Sequence, residues 1–393
     1  MPYYRRVGEV PRKRHQYVRA HTGARIAEEL MGKEGFAAES SLLYHLGRPT
    51  AIVDAAPVAI AGTTLVANRP LLPRHLRTPK LAGLGGDAAT DRHLLLGNDD
   101  VWISWVVADR PSSLQRHAVG DECYYVHRGT GACESVFGTI RVGPGDYLVL
   151  PASTTYRLVP DEGSVLECLV LEARGHIEIP DRYLSQRGQL LEAAPLCERD
   201  LRGPEGPLVV EGEDVDVIVR TRLDATRYTY ATHPFDVVGW DGCCYPFAFQ
   251  IRDFEPIVKR FHAPPPVHQT FAGPNFVVCS FVPRPFDFDP EAVAVPYHHA
   301  NVDSDEVLFY ADGNFMSRAG SGIEAGSISL HPSGFVHGPQ PGSVDAARGQ
   351  PGTEEVAVMV DTFRPLMLSE TALAIDDDAY PWTWSRRGPG AQS

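Results

Sequence analysis

The chain is poor in cysteine, with seven in 393 residues, an odd number and no Cys-x-x-Cys pair. That excludes a disulfide framework and a zinc ribbon, and it points to a reducing, cytoplasmic setting. Positive charge is also short. Asp and Glu number 50 against 36 Lys and Arg, a formal net charge of −14, which argues against nucleic-acid binding, since that needs a basic face. No long hydrophobic run occurs. The most apolar stretch, 51–67, is broken by Asp54 and falls short of the ~20 residues of a membrane span. The start, MPYYRRVGEVPRKRH, is basic without a secretory apolar core, and is expected to be a solvated arm lying across an acidic surface. Nucleophile-elbow and phosphate-loop motifs are missing, and GLGGDAATD (83–91) fails the dinucleotide pattern at Ala88, so it reads as a plain loop.

What remains is ordinary globular composition, 43% hydrophobic and 22% charged, on a length that suggests two or three domains at ~100–200 residues each. Proline is plentiful at 33 residues, against the ~20 that a usual share of about 5% would give. It punctuates short apolar runs throughout the chain. Helix signals are few, with Ile26 to Met31 the best early candidate. The body reads as short strands parted by Gly, Pro, Asp and Asn, as in a β-sandwich or barrel.

Two stretches carry this pattern most clearly. The first has strands at Glu122 to Val126, Glu134 to Phe137, Thr139 to Val142 and Tyr147 to Pro151, the last entered through the turn Gly143-Pro144-Gly145-Asp146. The second has strands at Glu306 to Tyr310, Phe315 to Ser317 and Gly326 to Leu330. The shared order predicts a mainly β fold of two tandem cupin-like (double-stranded β-helix) units with a long N-terminal arm and few helices. Residues 1–235 would be built round a first unit at about 96–175 plus an acidic crossover, and 236–393 would hold the second unit. Cys243-Cys244 reads as strand packing.

A metal site in such a barrel takes two or three His and a carboxylate. The first unit offers His117, Glu122 and His127, but Thr154 and Thr155 stand where a closing His belongs. It is expected to be metal-free, with its histidines at the surface. The second unit differs. Six of the 15 histidines (His262, His268, His298, His299, His331, His337) fall within 261–340. His299 and Glu306 are separated by polar turn formers, and His337 precedes Gly338-Pro339. Two imidazoles and one carboxylate with open positions form the facial triad of non-haem Fe(II) oxygenases. Zinc also takes this set, but no HExxH accompanies it. Neighbours on an extended chain point to opposite faces, so one of His298 and His299 is expected to ligate. Asp303 and Asp305 stay open as alternatives to Glu306.

The segments FDVVGWDGCCYPFAFQIRDF (235–254), PPPVHQTF (264–271), PYHHANVDSDEV (296–307) and SLHPSGFVHGPQPG (329–342) resemble the homogentisate 1,2-dioxygenase family. The resemblance runs from the first unit to the C-terminus. It implies Fe(II) ligands at His299, Glu306 and His337, an active-site base at His268, and substrate contacts from His331, Tyr297 and His337. It also implies homogentisate and O₂ as partners, maleylacetoacetate as product, a place in tyrosine and phenylalanine breakdown, and a homo-oligomer. Two departures stand out. One extra residue separates His299 from Glu306, which keeps Asp305 open, and Phe315 replaces an expected substrate-contacting Tyr. Phe315 motivates the alternative of gentisate or another hydroquinone as substrate. A non-catalytic bicupin is the reading from another class.

Overall fold

The computed structural model describes residues 3–21, 23, 25–258, 265–286, 289 and 291–385; His262 lies outside them. Among the described residues the chain is mainly β, with five sheets and two short α-helices, Ser343–Ala347 and Glu370–Ile375. No described helix is long and apolar enough to cross a membrane, and none of the seven cysteines forms a disulfide.

The first barrel consists of eight consecutive strands: Val101–Ala108, Leu114–His117, Glu122–Arg128, Gly131–Ser135, Gly138–Val142, Asp146–Leu150, Tyr156–Pro160 and Leu166–Ala173. The sixth, third, eighth and first lie side by side in one sheet, and the fifth, fourth, seventh and second in the facing sheet. Two such interlocked Greek keys make a jelly roll. The turn into the sixth strand is closed by the Asp146 amide donating to the Gly143 carbonyl and the Gly143 amide to the Asp146 carboxylate. Gly145 there has φ +88°, which favours glycine.

The second unit repeats half of that plan. Phe276–Phe281, Val356–Thr362, Asp305–Asp312 and Ser327–His331 adjoin in that order, the arrangement of the first, eighth, third and sixth strands of the first barrel. Among the described residues its facing wall consists of the two-residue pair Arg284–Pro285 and Gly352–Thr353 and an isolated bridge between His299 and His337. The expected strand at Phe315 to Ser317 is instead a 3₁₀ turn, Met316–Arg318. That turn lays Phe315 edge-on against Tyr310 and lets Arg318 reach the Tyr310 hydroxyl.

The largest core lies between the two units. Ile103, Trp105, Val107, Cys123, Tyr125, Leu169 and Leu171 from the first meet Val278, Val307, Phe309, Ile328, Leu330, Val358 and Val360 from the second. The alternate residues of the same first-barrel strands (Val106, Tyr124, Val126, Val170) fill that barrel's interior. Strands buried on both faces read as near-continuous apolar runs, as VWISWVVA does. Phe309 is wholly buried against Trp105, Tyr125 and His127, and its truncation to Ala is expected to cost about 3–5 kcal/mol.

Segments cross between the halves. Arg74–Arg77 adds a strand beside Ser327–His331, and Phe247–Gln250 adds one beside Asp146–Leu150. The expected helix at Ile26 to Met31 is a strand, Ala27–Gly32, paired with Ser40–His45. Six residues are too few for an isolated helix, and the ladder overrides the helical preference of Ala, Glu, Leu and Met. The basic arm also joins this sheet. Arg5–Gly8 pairs with Val237–Gly242, Tyr4 donates its hydroxyl to Asp241, and Arg14 forms an ion pair with the same carboxylate.

Candidate metal centre

Strand Asp305–Asp312 alternates sharply. Val307 and Phe309 enter the inter-unit core, so Glu306, Leu308 and Tyr310 face the other way, into the second unit. One cross-strand row on that face runs Val277, Asp361, Glu306, His331.

Two loops close over this row and deliver His299 and His337, whose ring centroids are 4.4 Å apart. The Nδ1 of His299 lies 2.9 Å from the Tyr297 carbonyl, and that of His337 lies 3.2 Å from the Phe335 carbonyl. A carbonyl only accepts, so each Nδ1 carries the hydrogen and each Nε2 keeps its lone pair. Both lone pairs turn toward Glu306: His299 Nε2 is 3.8 Å from Oε2 and His337 Nε2 is 3.3 Å from Oε1. The three donor atoms lie within 4.8 Å of one another, and His337 Nε2 is buried with no hydrogen-bond partner. Two imidazole lone pairs and a carboxylate converging on one point fit a divalent transition metal, with His299, Glu306 and His337 as the residues that would hold it.

The alternatives left open by the spacing separate here. His298 is exposed, with its ring against Gly338. Asp303 is exposed, and Asp305 points to the opposite face, where it accepts the amides of Ser333 and Leu366 at 2.8 Å each.

A second layer holds the donors. His331 Nδ1 lies 2.8 Å from Glu306 Oε1, and its Nε2 lies 2.9 Å from the Tyr380 hydroxyl. The ring thus donates to the carboxylate and accepts from the phenol. Burial, reinforced by Arg318, pushes His331 down to about 3, so it stays neutral. Burial alone would raise Glu306, but the three surrounding imidazoles outweigh it and hold the carboxyl well below the usual range. Arg318 and Trp384 both donate to the Gly338 carbonyl, at 2.7 and 3.0 Å, and so grip the residue after His337. Asp361, beside Glu306, is pushed up to about 8 by burial and by the Glu306 charge.

The residues expected on the substrate side lie at varied depths around this set. His331 is fully buried, with one ring nitrogen against Glu306 and the other against the Tyr380 hydroxyl. Tyr297 is 62% exposed, its ring 6.4 Å from that of His299. His268 is not one of the three converging donors. It packs on Phe281 at 4.6 Å between ring centroids, with Nδ1 buried and without a hydrogen-bond partner, and burial followed by Arg284 lowers it to about 3. Phe281, by strand alternation with Val278, shares the Glu306 face. Sequence reasoning did not find Asp361, Arg318, Tyr380 or Trp384. Asp361 had a signal, as an acid inside the apolar run VAVMVDTF.

In the first barrel His117 is buried and donates to or accepts from the Gly120 backbone, which corrects its expected surface position. His127 points out of the barrel toward Trp105 and Phe309. Glu122 is buried and pairs with Arg92, and His117 Nε2 lies 4.0 Å from the neighbouring Glu172.

No protein-family model matches the chain. Among solved structures, a cupin 2 conserved barrel domain protein from Leptotrichia buccalis aligns with 77% of this chain and all of its own, at 11% identity and a TM-score of 0.35. Homogentisate 1,2-dioxygenase of Emericella nidulans is 23% identical over 232 residues, 56% of this chain and 50% of that protein. The enzyme of that name from Rhodopseudomonas palustris is 25% identical over 341 residues, 80% of this chain and 72% of that protein. A Saccharolobus solfataricus protein named "Putative dioxygenase" is 41% identical over 390 residues, covering 98% of this chain and 99% of its own. A mainly β chain of two cupin-like units with a His/Glu/His centre, this protein belongs to the family of that archaeal protein.

Proposed function

We propose that the protein is an Fe(II)-dependent dioxygenase that opens the ring of homogentisate with both atoms of O₂ to give maleylacetoacetate. The observation that carries this reading is the converging set of His299, Glu306 and His337, with both imidazole tautomers set by backbone carbonyls. Three protein donors leave coordination positions for an aromatic diol and O₂, and a bound Fe(II) would supply the one-electron chemistry that O₂ activation needs. The chain's own work is orientation and proton handling. His331, anchored by Tyr380, fixes the direction of the Glu306 carboxylate. His268 is neutral and has a nitrogen without a partner, so it is the residue proposed to take the proton from the ring hydroxyl.

Phe315 supports a second reading. Its ring packs edge-on against Tyr310 and offers no hydroxyl to a substrate, which suits gentisate or another hydroquinone equally well. Oxygen uptake on homogentisate, gentisate and hydroquinone, followed side by side with Fe(II)-loaded protein, decides between them. Fastest uptake on homogentisate with maleylacetoacetate formed bears out the first reading. Uptake on gentisate alone replaces it, and no uptake on any aromatic diol overturns both.

A further inference from the structure

Each unit carries two acidic residues on the same pair of strand positions. In the first barrel Glu122 faces Glu172 across the third and eighth strands. In the second, Glu306 faces Asp361 across the equivalent strands. On its other side Glu122 is opposite Leu150 and Glu306 is opposite His331. Like charges directly opposed on adjacent strands destabilise a sheet, and burial makes them costlier.

The first barrel answers with fixed cations. Arg92 Nη1 donates to Glu122 at 2.6 Å and to Glu172 at 2.8 Å, and Arg220 lies 3.3 Å from Glu172. The second Arg92 nitrogen bonds Gln115 and the Tyr124 hydroxyl at 2.7 Å each. All of these groups are buried. In the second unit no arginine reaches the pair among the described residues. Arg318, the buried cation there, bonds the Tyr310 hydroxyl and the Gly338 carbonyl. Asp361 Oδ1 is shielded from water and has no hydrogen-bond partner. One unit sets a guanidinium between its two carboxylates; in the other, one carboxylate of the pair, Glu306, belongs to the converging set of His299, Glu306 and His337.

We propose that Asp361 is the second anionic group of the metal centre. It is a positioning residue outside the three donor atoms, and its charge complements that of Glu306 against a divalent cation. This rests on the metal reading above and adds a residue to it. In the first barrel the charges cancel between two carboxylates and two guanidiniums; here a doubly charged ion would take the place of the guanidiniums, and its field would favour the ionised form of Asp361 that burial and Glu306 alone disfavour.

The test compares wild type, Asp361→Asn and Asp361→Glu, each titrated anaerobically with Fe(II), and separately with Co(II), against a competing chelator. Asn keeps the shape and removes the charge; Glu keeps the charge. Outer partners of metal sites typically contribute 10–100-fold in affinity, so the Asn variant is expected to bind about tenfold or more weakly and the Glu variant to recover most of that loss. The Co(II) absorption spectrum is expected to be the same in all three, because the donors are unchanged. Equal affinity of the Asn variant and wild type overturns the proposal, as does a Glu variant as weak as Asn. A changed Co(II) spectrum in the Asn variant makes Asp361 a ligand and overturns the outer role. Failure of wild type to bind either ion removes the metal reading itself.

Discussion

His299 and His337 exchange backbone hydrogen bonds, the amide of each donating to the carbonyl of the other at 2.8 and 2.9 Å. This isolated bridge joins two loops far apart in sequence, and it places both imidazoles over the Glu306 row without a regular facing sheet. The geometry of the centre therefore depends on a single pair of residues that are both structural and chemical.

Gly338 tests that dependence. A Cβ there would meet His298 Nδ1 at 2.6 Å and His298 Cα at 2.8 Å, and the backbone contact leaves no flexible end to move. Gly338→Ala is expected to separate the loops, weaken metal binding at least tenfold, and cost about 1–3 kcal/mol of stability. Chelator titration and urea unfolding read the two effects.

Tyr380→Phe removes the hydroxyl that donates to His331 Nε2. The loss of one buried hydrogen bond is expected to cost about 1 kcal/mol. Loosening the ring that directs Glu306 is expected to weaken metal binding ~10-fold. Unchanged affinity in the Phe variant would show that His331 is held in place without the phenol.

His268→Ala separates metal binding from turnover. Since His268 is not one of the three donors, the variant is expected to retain its metal in full and lose most ring-cleaving activity, a general base contributing typically ~10²–10⁴-fold. Metal analysis and oxygen uptake on one preparation check this. Lost metal with retained turnover per bound ion would contradict the assignment.

In the first barrel, Arg92→Met leaves Glu122 and Glu172 buried and opposed, with Arg220 the remaining guanidinium against Glu172 among the described residues. Removing one partner of such a network is expected to cost about 3–5 kcal/mol. Adding Glu122→Gln is expected to return part of that loss. Urea midpoints of the single and double variants report both.

His45 gives stability a pH dependence. Its Nδ1 is 2.7 Å from Asp236 and its Nε2 is 3.0 Å from Glu29. Burial alone would lower its pKa, but the two carboxylates, Asp236 first, outweigh it and raise it to about 9 from 6.5. A raised folded-state pKa stabilises fully below 6.5, and the contribution fades as pH climbs through about 9. Arg116 and Arg48 share the surrounding pocket, and Arg116 helps hold Glu29 ionised. Urea stability is expected to fall across that window, at no more than about 1.4 kcal/mol per pH unit. His45→Gln is expected to flatten the slope.

Much of this was legible in the sequence wherever a local rule governed. GPGDYLVLP announces a turn into an apolar strand, and Glu306 to Tyr310 reads as a strand that opens on a carboxylate. Residue type and spacing pointed to His299, Glu306 and His337 while leaving His298, Asp303 and Asp305 open, and the family resemblance chose among them. Ile26 to Met31 misled because its residues favour a helix, while the ladder with Ser40–His45 decides its conformation. Phe315 to Ser317 misled because one aromatic packs on Tyr310 from a turn as well as from a strand. The second layer was hidden for a different reason. Tyr380 reaches His331 from 49 residues away, and Arg92 reaches Glu172 from 80, so no local pattern marks either. Asp361 becomes informative only when its cross-strand neighbour is known to be Glu306.

The most direct test of the centre is an iron count after anaerobic Fe(II) loading and desalting. About one ion per chain is expected for wild type, as a single His₂-carboxylate site requires, and almost none for His299→Ala or His337→Ala with the fold retained by circular dichroism. Iron held at wild-type levels by both folded variants, or absent from wild type, would contradict it.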